Sequence, residues 1–249
     1  MKPSTFLFIL AVVLSSCETK KNDLGNPAEE GFDLAHSDAA AIELADSIMI
    51  EAGGRANWDK AHFISWNSEN KSFTWDKQKN RVRIDDGTDN AIYLLDLSKG
   101  TGRVQVKGQE LTENNALQET LKIAKSMWRN NMYWLAAPFK LKDSGITLKY
   151  LGEDTLKGNR YNVLQMTFNQ EGDTSLNKYK MYVDVKQKVI RYWSFFADSS
   201  QDSASLTTSW DNYKKYGDIL LSGDRSDDIG PKNIRVDNET FPDKVFTDF

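Results

Sequence analysis

Short stretches in which apolar and polar residues alternate, separated by tight polar turns, constrain the fold of this chain more than any other feature. Residues 62–66 alternate in this way, and segments 73–75 and 82–84 are predicted to face each other across the turn 76–80. Strands joined by such short turns pair in the antiparallel sense, so the pattern predicts an antiparallel meander. Further alternating segments are 93–97, 104–106, 146–150, 161–168, 179–185, 189–196 and 205–213.

Two predicted helices interrupt the strands. The first spans 38–52, with Ser37 or Asp38 as its cap and Gly53-Gly54 at its end. The second spans 112–135 and stops before Pro138. Its apolar stripe steps by three and four residues, which is typical of a helix that packs on a core. The stripe comprises Leu117, Leu121, Ala124, Trp128, Met132 and Leu135.

The N-terminal residues 2–17 predict export from the cytoplasm. One lysine precedes a nine-residue apolar run, 6–14, which is too short to span a bilayer as a mature helix. A basic start, a short apolar core and small residues before the cut are typical of a secretory signal peptide, here residues 1–16.

The segment Leu14-Ser15-Ser16-Cys17 resembles the bacterial lipobox, and Cys17 is the only cysteine of the chain. The resemblance implies diacylglyceryl transfer to the thiol, cleavage before Cys17 and N-acylation. One buried acyl chain holds a protein only marginally, whereas two or three anchor it stably. An ordinary cleaved signal with a chance cysteine is the alternative.

Composition limits what the mature chain can be. Removal of residues 1–16 leaves 233 residues with a net charge of −5, enough for one large β-rich domain. An acidic chain without a basic cluster is a poor ligand for nucleic acid. We predict a flexible polar tether over 17–37 and a single domain over 38–249, with an irregular tail from about 222 that contains one short strand around 234–236.

The order of a helix, several strands, a long helix and more strands resembles the half-barrel of the bacterial lipoprotein carrier and receptor (Lol) proteins. A family of uncharacterised lipoproteins from Gram-negative bacteria shows the same pattern. The resemblance implies an α+β fold in which a curved antiparallel sheet forms an open half-barrel with helices over its concave face. None of the carriers' ligand residues transfers by motif. The resemblance is carried by Gly53-Gly54 with Trp58, and by 73–76, 133–141, 181–184 and 189–193.

Residue types argue against most catalytic chemistry. His36 and His62 are the only histidines, and His62 is predicted to be a strand residue satisfied by a neighbour. The chain lacks a Gly-x-Ser-x-Gly elbow and a glycine-rich phosphate loop. We therefore predict no enzyme activity, no metal and no cofactor. Carboxylates such as Asp96, which interrupts an apolar run, and Asp184 leave a glycan hydrolase as an alternative, in which partial burial would raise the pKa of Asp96. The favoured interpretation of these groups is an edge or turn carboxylate paired with a lysine or an arginine.

The abundance of tryptophan predicts a hydrophobic ligand. We expect an envelope lipoprotein, anchored through Cys17 and facing the periplasm from the outer membrane, that holds a lipid or a lipoprotein acyl chain inside the half-barrel. Surface exposure is an alternative location. A second alternative is a filled barrel that presents loops to an envelope partner, as a sensor or assembly factor. The predicted ligand face comprises Trp66, Trp75, Trp128, Trp134 and Trp193.

Overall fold

A computed structural model of the chain describes residues 25–168, 177–239 and 241–249. The predicted signal peptide and Cys17 lie outside the described residues. Within these ranges the helices are α1 (Ala39–Glu51), α2 (Arg55–Lys60), α3 (Asn114–Ala136) and α4 (Lys244–Thr247). The strands are β1 (Phe63–Ser68), β2 (Lys71–Asp76), β3 (Arg81–Asp86), β4 (Ala91–Asp96), β5 (Thr101–Val106), β6 (Gln109–Glu110), β7 (Ile146–Leu156), β8 (Asn159–Phe168), β9 (Lys178–Asp184), β10 (Ile190–Phe196), β11 (Leu206–Ser209), β12 (Asp211–Tyr216), β13 (Ile219–Asp224) and β14 (Lys232–Asp237).

The strands pair antiparallel in curved sheets that stay open. Seven strands follow the order β14-β1-β2-β3-β4-β5-β6, and five follow the order β11-β10-β9-β8-β7. Strands β12 and β13 form a separate hairpin. The predicted α+β class with an open, curved antiparallel sheet is therefore confirmed.

The first sheet is a meander with a period of ten residues. Strands β2, β3, β4 and β5 begin ten residues apart. Because each turn reverses the chain, a residue with a positive φ closes it at Asn80, Asn90 and Gly100. An aspartate at the strand end accepts a backbone N–H of the turn that follows, as Asp76 does from Lys79, Asp86 from Thr88 and Asp96 from Lys99.

The core lies between the first sheet and α3. Ile64, Trp66, Phe73 and Trp75 alternate onto one face, as the sequence pattern predicts. Helix α3 packs its predicted stripe against this face, and Leu121 comes closest at β5. A Cβ on Gly102 of β5 would lie 2.7 Å from Leu121 Cδ2, so glycine is needed for this approach.

The predicted tether is shorter than the sequence pattern indicates, because residues 26–37 pack on the domain. Glu29 N donates to Lys142 O at 2.9 Å, and Asp33 N donates to Ile146 O at 3.0 Å. Phe32 is buried in the second core with the strands of the five-stranded sheet. The domain therefore begins before the boundary that the sequence analysis predicted at residue 37. Low hydrophobicity predicted a free segment, but backbone hydrogen bonds to the loop before β7 hold it in place.

The C-terminal part contains the predicted short strand around 234–236, as β14, and one further strand, β13, that the sequence pattern did not predict. Residues 219–224 and 232–237 are strands, and β14 pairs with β1 at the edge of the seven-stranded sheet. Residues 241–249 cross the outer face of that sheet, where Phe246 is buried. Arginines of β3 and β5 hold this segment: Arg81 bonds Asp243, Arg83 bonds Asp248 O, and Arg103 bonds Thr247 O.

Candidate functional site

A cleft of about 310 Å³ opens at the side of α3. It lies between this helix, the turn from β1 to β2, and the short 3₁₀ segment Ser226–Asp228 with the residue after it. Its volume falls at the lower end of the range typical of small-molecule sites. The lining residues are Ser68, Glu69, Lys71, Met127, Asn130, Asn131, Trp134 and Ile229.

One face of α3 supplies half of this lining. Met127, Asn130, Asn131 and Trp134 follow the spacing i, i+3, i+4 and i+7, which places them in one row along the helix. Asn131 Nδ2 donates to Met127 O at 3.0 Å, so the amide is held within the row. This row borders the buried stripe of α3 and faces the edge of the core.

Contacts with Trp210 and Arg225 hold the side chain of Trp134 in place. Its ring meets Trp210 edge-on at 5.8 Å between centroids, and the guanidinium of Arg225 lies 5.2 Å from its ring centroid. The carbonyl of Trp134 accepts a hydrogen bond from Arg225 Nη2 at 2.5 Å. Trp134 is therefore a rigid wall of the cleft.

The cleft is amphipathic. Met127, Trp134 and Ile229 give it an apolar wall, and Ile229 is 39% exposed. Lys71 stands at the rim, with its Nζ 3.5 Å from Asp86 Oδ2. Apolar walls with a few polar groups at the edge suit a hydrocarbon chain that ends in a polar group.

The structure divides the predicted tryptophan face between two hydrophobic clusters. Trp66 and Trp75 are 1% and 6% exposed and belong to the cluster under α3, where Trp75 meets Trp128 edge-on at 5.5 Å. Trp193 is also buried, and it joins Trp134 in the cluster of the second sheet. Of the five, Trp134 lines the cleft described above. Trp66, Trp75 and Trp193 are enclosed by packed side chains, because the curved sheets are filled where they meet the helices.

Sequence reasoning missed Met127, Asn131 and Ile229. The i, i+3, i+4, i+7 row on α3 was available as a signal, since a second face beside the buried stripe indicates a surface at the core edge. Ile229 carried no comparable signal. It follows a 3₁₀ turn, and tertiary packing alone brings it to α3.

His62 has the neighbour that the sequence analysis predicted. Its Nε2 lies 3.1 Å from Oδ1 of Asp76, a fully buried carboxylate. Burial opposes ionisation of Asp76, but hydrogen bonds from Lys79 N and Arg81 hold its pKa below the usual range. This group ties the end of β2 to the segment before β1.

The two carboxylates proposed for a glycan hydrolase support turns. The hydrogen bond from the Lys99 side chain, with that from Lys99 N, holds the pKa of Asp96 below its usual value. Burial opposes ionisation of Asp184, yet bonds from Gln187 N and Lys186 N lower its pKa. A general acid needs a raised pKa. The raised pKa that a hydrolase would require of Asp96 is therefore absent, and the favoured interpretation of Asp96 as a turn carboxylate paired with a lysine is confirmed.

A raised carboxyl pKa occurs elsewhere, in the loop between α3 and β7. Burial raises the pKa of Asp143 to about 6, although the ammonium of Lys140, 2.7 Å away, favours the charged form. Tyr133 donates its hydroxyl to Asp143 at 3.3 Å, and Lys140 also lies 3.3 Å from Glu29. These four residues join the N-terminal segment to α3. The raised pKa of Asp143 should therefore affect the stability of the fold.

Replacing Asp143 by asparagine should flatten the pH dependence of stability between pH 4 and 6. The folded pKa, about 6, lies above the unfolded value of about 4, so Asp143 stabilises the fold below pH 4 and this contribution is lost as pH rises through 6. Two pKa units correspond to about 3 kcal/mol. Urea unfolding at pH 4.0 and 7.5 measures the difference, with the exposed Asp202→Asn as control. An unchanged pH profile in Asp143→Asn would contradict the assignment.

Across 25–168, 177–239 and 241–249, acidic and histidine side chains form no cluster of three that could hold a metal ion. No helix in the same ranges is long and apolar enough to cross a bilayer.

Comparison with solved structures finds similar chains at low sequence identity. A DUF1329 family protein from Desulfovibrio piger is 13% identical, with 83% of this chain and 95% of that chain covered and a TM-score of 0.42. A putative outer membrane lipoprotein-sorting protein domain from Vibrio parahaemolyticus is 10% identical, with 83% and 96% covered and a TM-score of 0.43. A LolA superfamily protein from Nitrosomonas europaea is 12% identical, with 81% and 96% covered and a TM-score of 0.31.

The search among curated proteins matched none. The model of a family of unknown function, DUF6503, matches residues 3–223. Because this match spans most of the sequence, the chain belongs to the family DUF6503.

Proposed function

We propose that this protein is an envelope lipoprotein, anchored through acylated Cys17, that binds one acyl chain without catalysis in the cleft beside α3. The observation that carries the proposal is the apolar wall of Met127, Trp134 and Ile229 with a polar rim at Lys71. The chain would lie against Trp134, and its polar end would meet the rim. Both a free lipid and the acyl group of another lipoprotein present this chemistry.

The proposed ligand site lies at the side of the half-barrel, whereas the sequence analysis predicted a site in its interior. Trp66 and Trp75 have no exposed surface of useful size, so an acyl chain cannot reach them without displacing α3. The cleft needs no such displacement, because its apolar wall is already open to solvent. Burial of each CH₂ group contributes about 0.8 kcal/mol, so complete burial of ten carbons contributes about 8 kcal/mol, from which the costs of association are subtracted.

The variant Ile229→Asp should weaken binding of a dansyl-labelled undecanoic acid about tenfold or more. A carboxylate in place of Ile229 removes apolar surface and repels the carboxylate of the probe. Energy transfer from tryptophan to dansyl measures the affinity. The matched control is Ile123→Asp, since Ile123 is on α3 and 62% exposed but does not line the cleft.

Two outcomes would count against the cleft. Equal loss of affinity in both variants would indicate a nonspecific effect of the added charge. Full retention of affinity in Ile229→Asp would place the probe elsewhere. Mass spectrometry of gently purified protein adds a check without mutation, because an acyl ligand should be released by organic extraction.

The packed interior favours a second candidate, an envelope interaction or assembly protein with a filled barrel. Its supporting observation is the burial of Trp66, Trp75 and Trp193 in contact with their neighbours. Protein that carries no lipid, takes up no probe and crosslinks in cells to a stoichiometric protein neighbour would support this candidate over acyl binding.

A further inference from the structure

The chain enters the domain at a fixed point, Asn26. Its Nδ2 donates to Asp46 Oδ1 at 2.7 Å, and its carbonyl accepts a hydrogen bond from Lys142 Nζ. Lys142 Nζ also lies 2.5 Å from Asp46 Oδ1, and all three residues are largely buried. Asn26 is therefore part of the rigid domain.

Eight residues, 18–25, separate Cys17 from Asn26. Whatever conformation they adopt, nine Cα steps span at most about 30 Å. A domain of this size has a radius of gyration of about 17 Å, hence a diameter of about 45 Å. The reach is shorter than the domain, so an anchor at Cys17 limits which end can touch the bilayer.

The end around Asn26 is built from α2, the end of α1 and the turn from β2 to β3. Asn26, Met49 and Arg55 line one small crevice with Phe139. Phe139 stacks on Trp58 of α2 at 4.4 Å, and Lys77 Nζ lies 3.9 Å above the Trp58 ring. We call the solvent-facing residues here the anchor-proximal surface: Ile50, Arg55, Lys60, Gln78 and Lys79.

The anchor-proximal surface carries cations and an exposed apolar side chain. Among the described residues no carboxylate lies within 4.0 Å of the ammonium group of Lys60, while Arg55 pairs with Asp59 and Lys79 with Asp243. Ile50 is 49% exposed. Turns at the opposite end of the same strands carry two acidic residues, Glu69 and Asp89, and one lysine, Lys107.

We propose that the anchor-proximal surface rests on an anionic phospholipid bilayer, which fixes the orientation of the domain on the membrane. The inference depends on the proposed anchoring through Cys17 and adds the lipid class and the contacting face. Lysines within a Debye length of an anionic surface are attracted to it, and Ile50 can enter the interfacial region. The opposite end, with Glu69 and Asp89, then faces away from the bilayer.

Quenching by lipid tests the orientation in the full acylated protein. Cys17 is the only native cysteine and is blocked by acylation, so Gln78→Cys and Thr88→Cys each add one thiol for a fluorophore. Both positions are exposed, and they flank β3, whose six residues separate them by about 20 Å. In vesicles of phosphatidylcholine with 30% phosphatidylglycerol, a headgroup spin label should quench position 78 at least threefold more than position 88.

A charge variant tests the lipid class. In Lys60→Gln combined with Lys79→Gln, the excess quenching at position 78 should fall towards that seen in vesicles of phosphatidylcholine alone. The cleft residues are unchanged in this variant, so uptake of the dansyl probe should be retained and reports that the protein is folded.

The outcomes separate this inference from the proposed function. Acylated protein with equal quenching at both positions, or stronger quenching at 88, overturns the orientation alone. Excess quenching at 78 that persists in the charge variant overturns the role of anionic lipid. An unmodified Cys17 in the mass spectrum overturns the anchor, and with it this inference, whereas loss of probe binding concerns only the cleft.

Discussion

Replacing Arg225 by alanine should lower the free energy of unfolding by about 3–5 kcal/mol. The guanidinium is 2% exposed, and its Cζ lies 3.4 Å from the ring centroid of Trp210. It donates to Asp224 O at 2.6 Å and to Ser222 Oγ at 2.8 Å, and to the carbonyl of Trp134. Truncation would leave these buried acceptors without a donor and open a cavity beside Trp210.

Arg225 holds the last turn of α3 against the hairpin of β12 and β13. Burial lowers the pKa of Arg225 to about 9, which shows that desolvation disfavours the charged guanidinium. Hydrogen bonds to carbonyl groups and the contact with the Trp210 ring offset this desolvation. Because Trp134 lines the cleft, Arg225→Ala should also weaken probe binding.

Denaturant unfolding of three variants tests the role of Arg225. Arg225→Lys keeps the charge but lacks the planar fork, so it should recover only part of the loss. Arg235→Ala removes an arginine whose side chain is 72% exposed and should cost less than about 0.5 kcal/mol. A loss below about 1 kcal/mol in Arg225→Ala would show that the buried contacts are not needed.

Gly53→Ala should cost about 3 kcal/mol or more, even though alanine adds a single methyl group. Gly53 has a φ of +115°, and a Cβ on it would lie 2.3 Å from the carbonyl oxygen of Asp218. The contact is part of the junction between α1 and the β12–β13 hairpin, where Leu220 N donates to Ala52 O at 2.8 Å. The methyl group would have to separate these elements.

Gly108→Ala is the matched control for Gly53→Ala. Gly108 also has a positive φ, +78°, but a Cβ there would meet no atom within 4 Å. The control therefore isolates backbone strain, which costs about 1–2 kcal/mol. Thermal unfolding of both variants gives the comparison. Equal losses would mean that the hairpin can move away from Gly53, and that the close approach is not required.

Local patterns predicted the elements of this fold well. The pairing of Phe73 with Ile84 and of Trp75 with Val82 is confirmed in register. The stripe on α3 is confirmed as well, with Leu121, Ala124, Met132 and Leu135 buried. These predictions hold because period and turn chemistry act between residues a few positions apart.

Predictions that depended on distant partners were less accurate. Segment 205–213 is divided at Trp210 between β11 and β12, because Trp210 turns into the second core. Asp38 is at the N-cap of α1, yet its carboxylate accepts from Lys149 Nζ and Tyr150 N of β7 instead of capping the helix. In each case a contact with residues far away in the sequence overrides the role that the local pattern predicted for the side chain.

Adjacent residues are enough to predict the strand and helix segments, the antiparallel pairing of neighbours and the resemblance to a lipobox at Cys17. Only the folded chain shows that three tryptophans of the predicted ligand face are buried, that Ile229 meets Met127 and Trp134 at a cleft, and that residues 26–37 dock beside β7. These features arise from contacts between segments about 100 residues apart. The packing of the whole core determines which segments meet, and a local sequence pattern cannot predict this.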